Sequence, residues 1–474
     1  MALAAFTITP LELPEIRITI GKFLDRSDLV QCLYVCRAWH DSFLPLVWST
    51  VSICSDTPRP NVEAFNQNSR FIRNLTYDVD SWGVYASTHC RDLSTLLVHC
   101  TWNEPPVIAQ YDKLRDLSIQ NIKQLRLDIF PLWRPSNSFQ NLSSLTLEVV
   151  DIDPAGADDF WDQCTRLKSL SIIVSSIPRL PNKSMKFERL RKLRLMPRFG
   201  HLLELWQDFI TQCPSLISLN WDCGRETSVA MDNFIAQLTK GTWPNLCELG
   251  LPSLSPSDKR LGQILNAMPQ VESLVTNAST FGPLSLAALR PHFSILRELK
   301  MEWSTYPGTA PLAIPEILAS CPQLEILVAG EVAAQNILQG QPWVCERTLK
   351  TLHFCVIISP GQDADHQQQH VLERISRLYN LENFGLLTGS GTTGQGITHI
   401  NLQLGKGLEH LSALKKLRTL FLYSRSILMA ETDVEWMLDN LKSLEHIHGF
   451  MNTKFRDNKP LAKMVQARKI QYRC

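Results

Sequence analysis

Apolar residues recur along this chain in a fixed local frame, in which the first, fourth and sixth positions are apolar. Leu114-Leu117-Ile119, Leu142-Leu145-Leu147, Leu167-Leu170-Ile172, Leu190-Leu193-Leu195 and Leu216-Leu219-Trp221 spell it. Leu246-Leu249-Leu251, Leu296-Leu299-Met301, Leu349-Leu352-Phe354, Leu381-Phe384-Leu386 and Leu417-Leu420-Leu422 continue it. Weaker copies start at Ile72, Leu93, Val271, Leu324 and Leu444. The residue just before the second apolar position is polar in nearly every copy from Leu114 to Leu417: Asp116, Ser144, Ser169, Lys192, Ser218, Glu248, Ser273, Glu298, Thr351, Asn383 and Thr419, with Ile326 as the exception. Alternation with period two is the signature of a strand that buries one face and exposes the other. Each copy therefore predicts a short strand.

Between the strands the period changes. Leu205, Phe209, Ile210 and Cys213 recur at helical spacing, as do Leu261, Ile264, Leu265 and Met268, and Ile314, Ile317, Leu318 and Cys321. Pro214, Pro269 and Pro322 follow these helices two residues before the next first apolar position, and Pro244 follows Phe234-Ile235-Leu238 in the same way. Proline ends a helix because it has no N–H to donate and pushes its predecessor out of the α region. The fifteen copies from Ile72 to Leu444 have a mean spacing of about 27 residues, inside the roughly 20–29 residue period of leucine-rich repeats. The fold class expected is α/β: a leucine-rich-repeat solenoid, a parallel β horseshoe with helices on its convex side, over residues 55–455.

Residues 11–54 break from the repeat. Leu13-Pro14-Glu15-Ile16 opens a helix with Ile16, Ile20, Phe23 and Leu24 on one face, Pro14 being suited to a first turn. Ser27 and Asp28 are placed to cap a second helix, with Leu29, Cys32, Leu33, Cys36 and Trp39 or His40 on its apolar side, before Pro45, Val47 and Trp48. So short a segment supports little core of its own, so part of its apolar surface should seek a partner. The string Leu13-Pro14-Glu15-Ile16, Ile20, Phe23-Leu24, Asp28-Leu29, Cys32, Val35-Cys36-Arg37, Trp39 and Trp48 closely resembles the F-box motif. The combination of motif and repeats is similar to fungal F-box repeat proteins. The resemblance implies docking on the Skp-type adaptor of a cullin-based ubiquitin ligase. Carried over, Leu13, Pro14, Ile16, Ile20, Leu24, Leu29, Cys32, Val35 and Trp39 form the adaptor-facing or supporting set. Residues 1–10 read as an N-terminal tail.

Composition narrows the classes further. Lys+Arg 47 against Asp+Glu 46 leaves a net charge of +1, so no global field draws the chain to nucleic acid or an anionic membrane. Lys463, Arg468, Lys469 and Arg473 make residues 456–474 a locally basic, solvated C-terminal tail. No secretory signal and no run of roughly 18 apolar residues is present. The 13 cysteines are odd in number, and Cys32, Cys213, Cys321 and Cys355 lie in apolar surroundings. Without a signal they read as buried thiols of a reducing compartment, cytoplasm or nucleus.

Candidate chemistry is sparse. Gly389, Gly391 and Gly394 spell the dinucleotide fingerprint, with Glu409 as a nominal acidic partner. The repeat from Leu381 to Leu417 is long, though, and a polar loop insertion over 389–396 accounts for it. His366 and His370 share a helix face, but nothing with ligand spacing completes a metal site. Cys32 and Cys36 fall on the second helix, where packing explains both. No Gly-x-Ser-x-Gly elbow or HExxH occurs. The expected function is non-catalytic and needs no cofactor: a substrate-recognition subunit whose horseshoe holds an as yet unidentified protein on its inner face. The inner-face candidates are Arg194, Asn220, Asp222, Lys300, Glu302, His353, Phe421 and Tyr423. Two alternatives stand beside it, a scaffold acting with the adaptor outside a ligase and a nucleotide-dependent enzyme using the glycine loop.

Overall fold

The computed structural model describes residues 9–473 apart from 56–57, 79–82, 86–87, 101–110, 122–139, 149–156, 174–179, 197–202, 223–227, 255, 278–280, 303–312, 360, 362, 388–397, 424–426 and 453–454. The chain forms two compact units, Met1–Ser215 and Leu216–Cys474.

The first unit opens with three helices, α1 (Pro14–Gly21), α2 (Arg26–Cys32) and α3 (Arg37–Trp48). Seven strands follow: β1 (Thr50–Ile53), β2 (Asn74–Asp78), β3 (Thr95–Cys100), β4 (Asp116–Asn121), β5 (Ser144–Glu148), β6 (Ser169–Ile173) and β7 (Lys192–Leu195). Each pairs parallel with the next. The second unit carries β8 (Ser218–Trp221), β9 (Glu248–Gly250), β10 (Ser273–Asn277), β11 (Glu298–Glu302), β12 (Ile326–Ala333) and β13 (Thr351–Ile358). It continues with β14 (Asn383–Leu386), β15 (Thr398–His399), β16 (Thr419–Leu422), β17 (His446–Gly449) and β18 (Gln471–Arg473). These strands also pair parallel in order, except that β15 turns back antiparallel on Ile357 and Ile358 of β13, so β14 pairs directly with β16.

The register follows the sequence frame. Within each unit, the residues that precede the second apolar position, all polar but Ile326, are mutual partners: Asp116, Ser144, Ser169 and Lys192 in the first; Ser218, Glu248, Ser273 and Glu298 through Ile326 to Thr419 in the second. The leucines between them stack in buried columns, as Leu249, Leu274, Leu299, Leu327 and Leu352 do. Helices cover that buried side. In the helix Ser228–Thr239, Phe234 sets its ring 5.4 Å from Trp221 of β8. In Asp258–Ala267, Leu261, Ile264 and Leu265 are buried, and in Ala313–Ser320, Ile314, Ile317 and Leu318. A repeat cannot bury its apolar face alone, so stability is shared between stacked neighbours. Both units are leucine-rich-repeat solenoids of the α/β class.

Four local readings change. The predicted second helix is two: Asp25, not Ser27 or Asp28, caps α2 through the Asp28 amide at 2.9 Å, and a turn at Leu33–Val35 separates α2 from α3. Ser27 serves the cap indirectly, donating to the Asp25 carboxylate at 2.8 Å. Second, the segment read as ending at residue 54 already contributes β1, whose Val51 and Ile53 are buried beside β2.

Third, residues 456–474 are not a solvated tail. They supply most of the helix Phe455–Ala467, with Leu461 and Val465 buried, and the strand β18 paired on β17. Charge alone suggested a tail, but the apolar spacing of Leu461 and Val465 decides the segment's fate. Fourth, Ile16, Ile20 and Phe23 of the first helical segment do not face inward. Arg17 and Gly21 do.

Candidate functional site

Two surfaces carry most of the candidate residues, and each belongs to a different unit. The first is the helical module. Its core is Leu29, Phe43 and Val47, with Leu24, Val30, Cys32, Leu33, Trp39, Leu46 and Trp48 partly buried around them. Helix α1 lies against α3 by its narrowest side. A Cβ on Gly21 would stand 2.5 Å from the Leu46 side chain and 2.8 Å from the Phe43 ring, so only glycine permits this approach. One turn earlier Arg17 is buried. Its Nε donates to Ser42 Oγ at 2.8 Å and its Nη1 donates to the carbonyls of Leu11 and Glu12 at 3.0 and 3.1 Å. The guanidinium thus fastens the chain entering α1 to α3, a task suited to its planar fork of donors.

The consequence is an inverted helix. With a glycine and an arginine on its inner side, α1 turns its large apolar residues to the outside. Leu11, Leu13, Ile16, Ile18 and Ile20 are all exposed, Phe23 is 85% exposed, and Tyr34 and Val35 in the α2–α3 turn are exposed as well. Of the nine residues expected to face or support an adaptor, Leu13, Pro14, Ile16, Ile20 and Val35 are exposed, Leu24, Cys32 and Trp39 are half-buried, and Leu29 lies in the core. So many large apolar side chains exposed along one short segment are uncommon on a protein surface.

The second surface is the open face of the second unit's sheet, opposite the helices. Register aligns Asn220, Gly250, Val275, Lys300, Val328, His353, Gly385, Phe421, His448 and Arg473 into one row from β8 to β18. Two glycines shape it. Asn220 leans over Gly250, where a Cβ would lie 2.9 Å from its side chain, and His353 leans over Gly385, where a Cβ would meet its ring at 2.7 Å. Across that gap the His353 and Phe421 rings meet at 4.6 Å. Phe421 in turn stacks on His448 at 4.8 Å and 12°, with Tyr423 at 6.2 Å. Burial, helped by the charge of Lys300, pushes the His353 pKa down to about 4, and its Nε2 is buried without a hydrogen-bond partner. Burial lowers His448 too, with Arg473 and His446 adding to the effect.

Of the inner-face candidates, the fold gathers His353, Phe421 and Tyr423. Lys300 stands two strands from His353 and pairs with Glu298. Asn220 and Asp222 lie at the other end of the sheet, on and just after β8. Arg194 is exposed on β7 in the first unit, and Glu302 ends β11 with its side chain outside the described residues. His446, His448 and Arg473 were missed. The first two sit in the weak copy at Leu444, one strand position on either side of Ile447; Arg473 lies in the segment read as a tail.

The remaining chemistry is modest. Residues 389–396 lie outside the described residues. His366 and His370 do share a helix face, their rings 4.1 Å apart, but no group of three or more potential metal ligands exists among the described residues. Cys355 Sγ lies 3.5 Å from His399 Nδ1, a contact made by the β13–β15 hook. Burial holds that thiol at about 12, so almost no thiolate exists at neutral pH and the pair is not an activated nucleophile. No described helix is long and apolar enough to cross a membrane.

No family model matches the sequence, and no curated protein does either. Solved structures that match it include an internalin from Listeria monocytogenes, at 12% identity and a TM-score of 0.29, over 99% of this chain and 98% of that one. So low a score carries no argument. The leucine-rich-repeat assignment rests on the register and buried columns of the chain itself.

Proposed function

We propose that this chain is a two-ended receptor: helices α1–α3 act as an F-box that docks on a Skp-type adaptor, and the repeats select a protein for ubiquitination by the attached cullin ligase. The observation that carries this reading is the inversion of α1. Arg17 and Gly21 face inward, while Leu13, Ile16, Ile20 and Phe23 are presented to solvent. A mere end cap for the solenoid gains nothing by that arrangement, because it leaves uncovered the area whose burial stabilises a small module. Of the exposed residues, Leu13, Ile16, Ile20, Phe23 and Val35 belong to the motif that resembles the F-box. Ubiquitin transfer would occur in partner enzymes in the cytoplasm or nucleus, and this chain contributes proximity and orientation.

Replacing Leu13 and Pro14 by Ala should abolish capture of the adaptor, since truncated apolar anchors at an interface commonly cost about 2 kcal/mol or more. Both residues are exposed, so the helical module keeps its fold. Adaptor binding at wild-type affinity by the double variant would falsify the docking assignment. Recovery of a cullin together with the adaptor separates a ligase receptor from a scaffold that uses the adaptor alone.

A further inference from the structure

The open face of the second unit is not uniform in charge. Its acidic residues stand on the strands before β13: Asp222 after β8, Glu248 on β9, Glu298 and Glu302 on β11, and Glu331 on β12, in register with Cys355 of β13. From β13 to β18 the outward positions change character. Those of β13, β14, β16, β17 and β18 run from Thr351 and His353 to Gln471 and Arg473, and none of them is a carboxylate. They hold instead the rings of His353, Phe421, His446 and His448, with Tyr423 just beyond β16 and Arg473 at the end. Arg473 has no ion-pair partner among the described residues. Glu445, whose carboxylate stands 3.9 Å from His446, is engaged by Arg418 at 2.7 Å.

The rings form a shelf. Phe421 is held between His353 at 4.6 Å and His448 at 4.8 Å, over the slot that Gly385 leaves open. Tyr423 is half exposed at its side. Stacked and edge-to-face contacts favour a further aromatic ring here, since faces and edges of opposite polarity are both presented. Arg473 supplies a forked donor for a carboxylate beside that ring. One unpaired arginine among the described residues of this face and a net charge of +1 are too little for a phosphate backbone, which demands a stripe of cations.

We infer that the five strands β13, β14, β16, β17 and β18 form a docking site for a peptide segment presenting an aromatic side chain flanked by carboxylates. This deepens the substrate-selecting half of the proposed function and rests on that reading only for what becomes of the captured protein.

The test is selection of a random-peptide phage library on the immobilised full chain, followed by titration of the best synthetic peptide. Enriched peptides should share a Tyr, Phe or Trp with Asp or Glu close by. Phe421→Ala and Arg473→Glu should each weaken that peptide by about tenfold or more, whereas Glu248→Gln on the acidic half should leave it unchanged. Arg473 is exposed, so its variant keeps the fold even where Phe421→Ala perturbs the shelf. The inference is overturned by a failure to enrich, by enriched peptides that are basic or lack aromatics, or by undiminished binding to Arg473→Glu. Adaptor capture by the same preparations reports on the helical module separately. Lost peptide selection with intact adaptor binding sinks this inference alone, and the reverse outcome sinks only the docking assignment.

Discussion

His353 shows what a single side chain experiences inside a row of stacked strands. Its ring is pressed between Phe421 and the backbone at Gly385, and burial favours the neutral imidazole. Its folded pKa of about 4 lies below the ordinary 6.5. Between those values the unfolded chain holds the extra proton, so stability is full above about pH 6.5 and is lost as pH falls toward 4. The whole shift corresponds to an upper limit on the order of 3 kcal/mol. His353→Gln should therefore flatten the drop in melting temperature between about pH 7 and about pH 4.5. Some dependence will remain, because burial lowers His292 as well. An identical drop in the variant would show that the imidazole finds a way to protonate without cost.

At the scale of elements, stacking depends on side chains that cross from one repeat to the next. The helix Pro283–Leu289 begins at Gly282, which has no side chain to cap it. Asp258, in the first turn of the preceding repeat's helix, fills that role. Its carboxylate accepts from the amides of Gly282 and Leu284 at 3.0 Å and of Ser285 at 2.8 Å, and from the Ser285 hydroxyl at 2.6 Å. Burial pushes its pKa upward, but those donors outweigh it and hold the carboxyl below its usual range. Asp258→Ala should cost about 1 kcal/mol, as lost caps do, and should speed amide exchange in residues 283–289 before it affects β8 or β9. Unchanged protection there would mean that Pro283 and packing alone fix the helix start.

At the scale of the whole second unit, each repeat covers the strand edge and apolar face that its neighbour leaves open. Residues 455–473 do this for the repeat of β17: β18 satisfies the edge of β17, and Leu461 and Val465 are buried. Arg468 adds an exposed ion pair with Asp439 at 3.0 Å, of small weight. Deleting residues 456–474 should lower the melting temperature of the chain and expose β16 and β17 to rapid exchange. A dispensable basic tail would leave both unchanged.

The amino-acid sequence by itself determined the repeat. Leucines at two-residue alternation, polar residues between them and prolines at the helix ends are local instructions, each read within a few residues and enforced because a misplaced strand would turn its leucines to solvent. Motif and amphipathic spacing likewise located the helical module. The sequence did not determine which way α1 faces. That depended on Gly21 meeting Leu46 and on Arg17 reaching Ser42, contacts between helices.

Nor did local pattern reveal the aromatic shelf. His353, Phe421 and His448 lie in three different repeats, and only the lateral register of β13, β14, β16 and β17 sets them side by side. The strand β18 obeys the same logic: it lacks the leucine frame and exists because β17 offers it an edge. Periodicity decides what each segment becomes, while the stacking of segments decides which side chains meet.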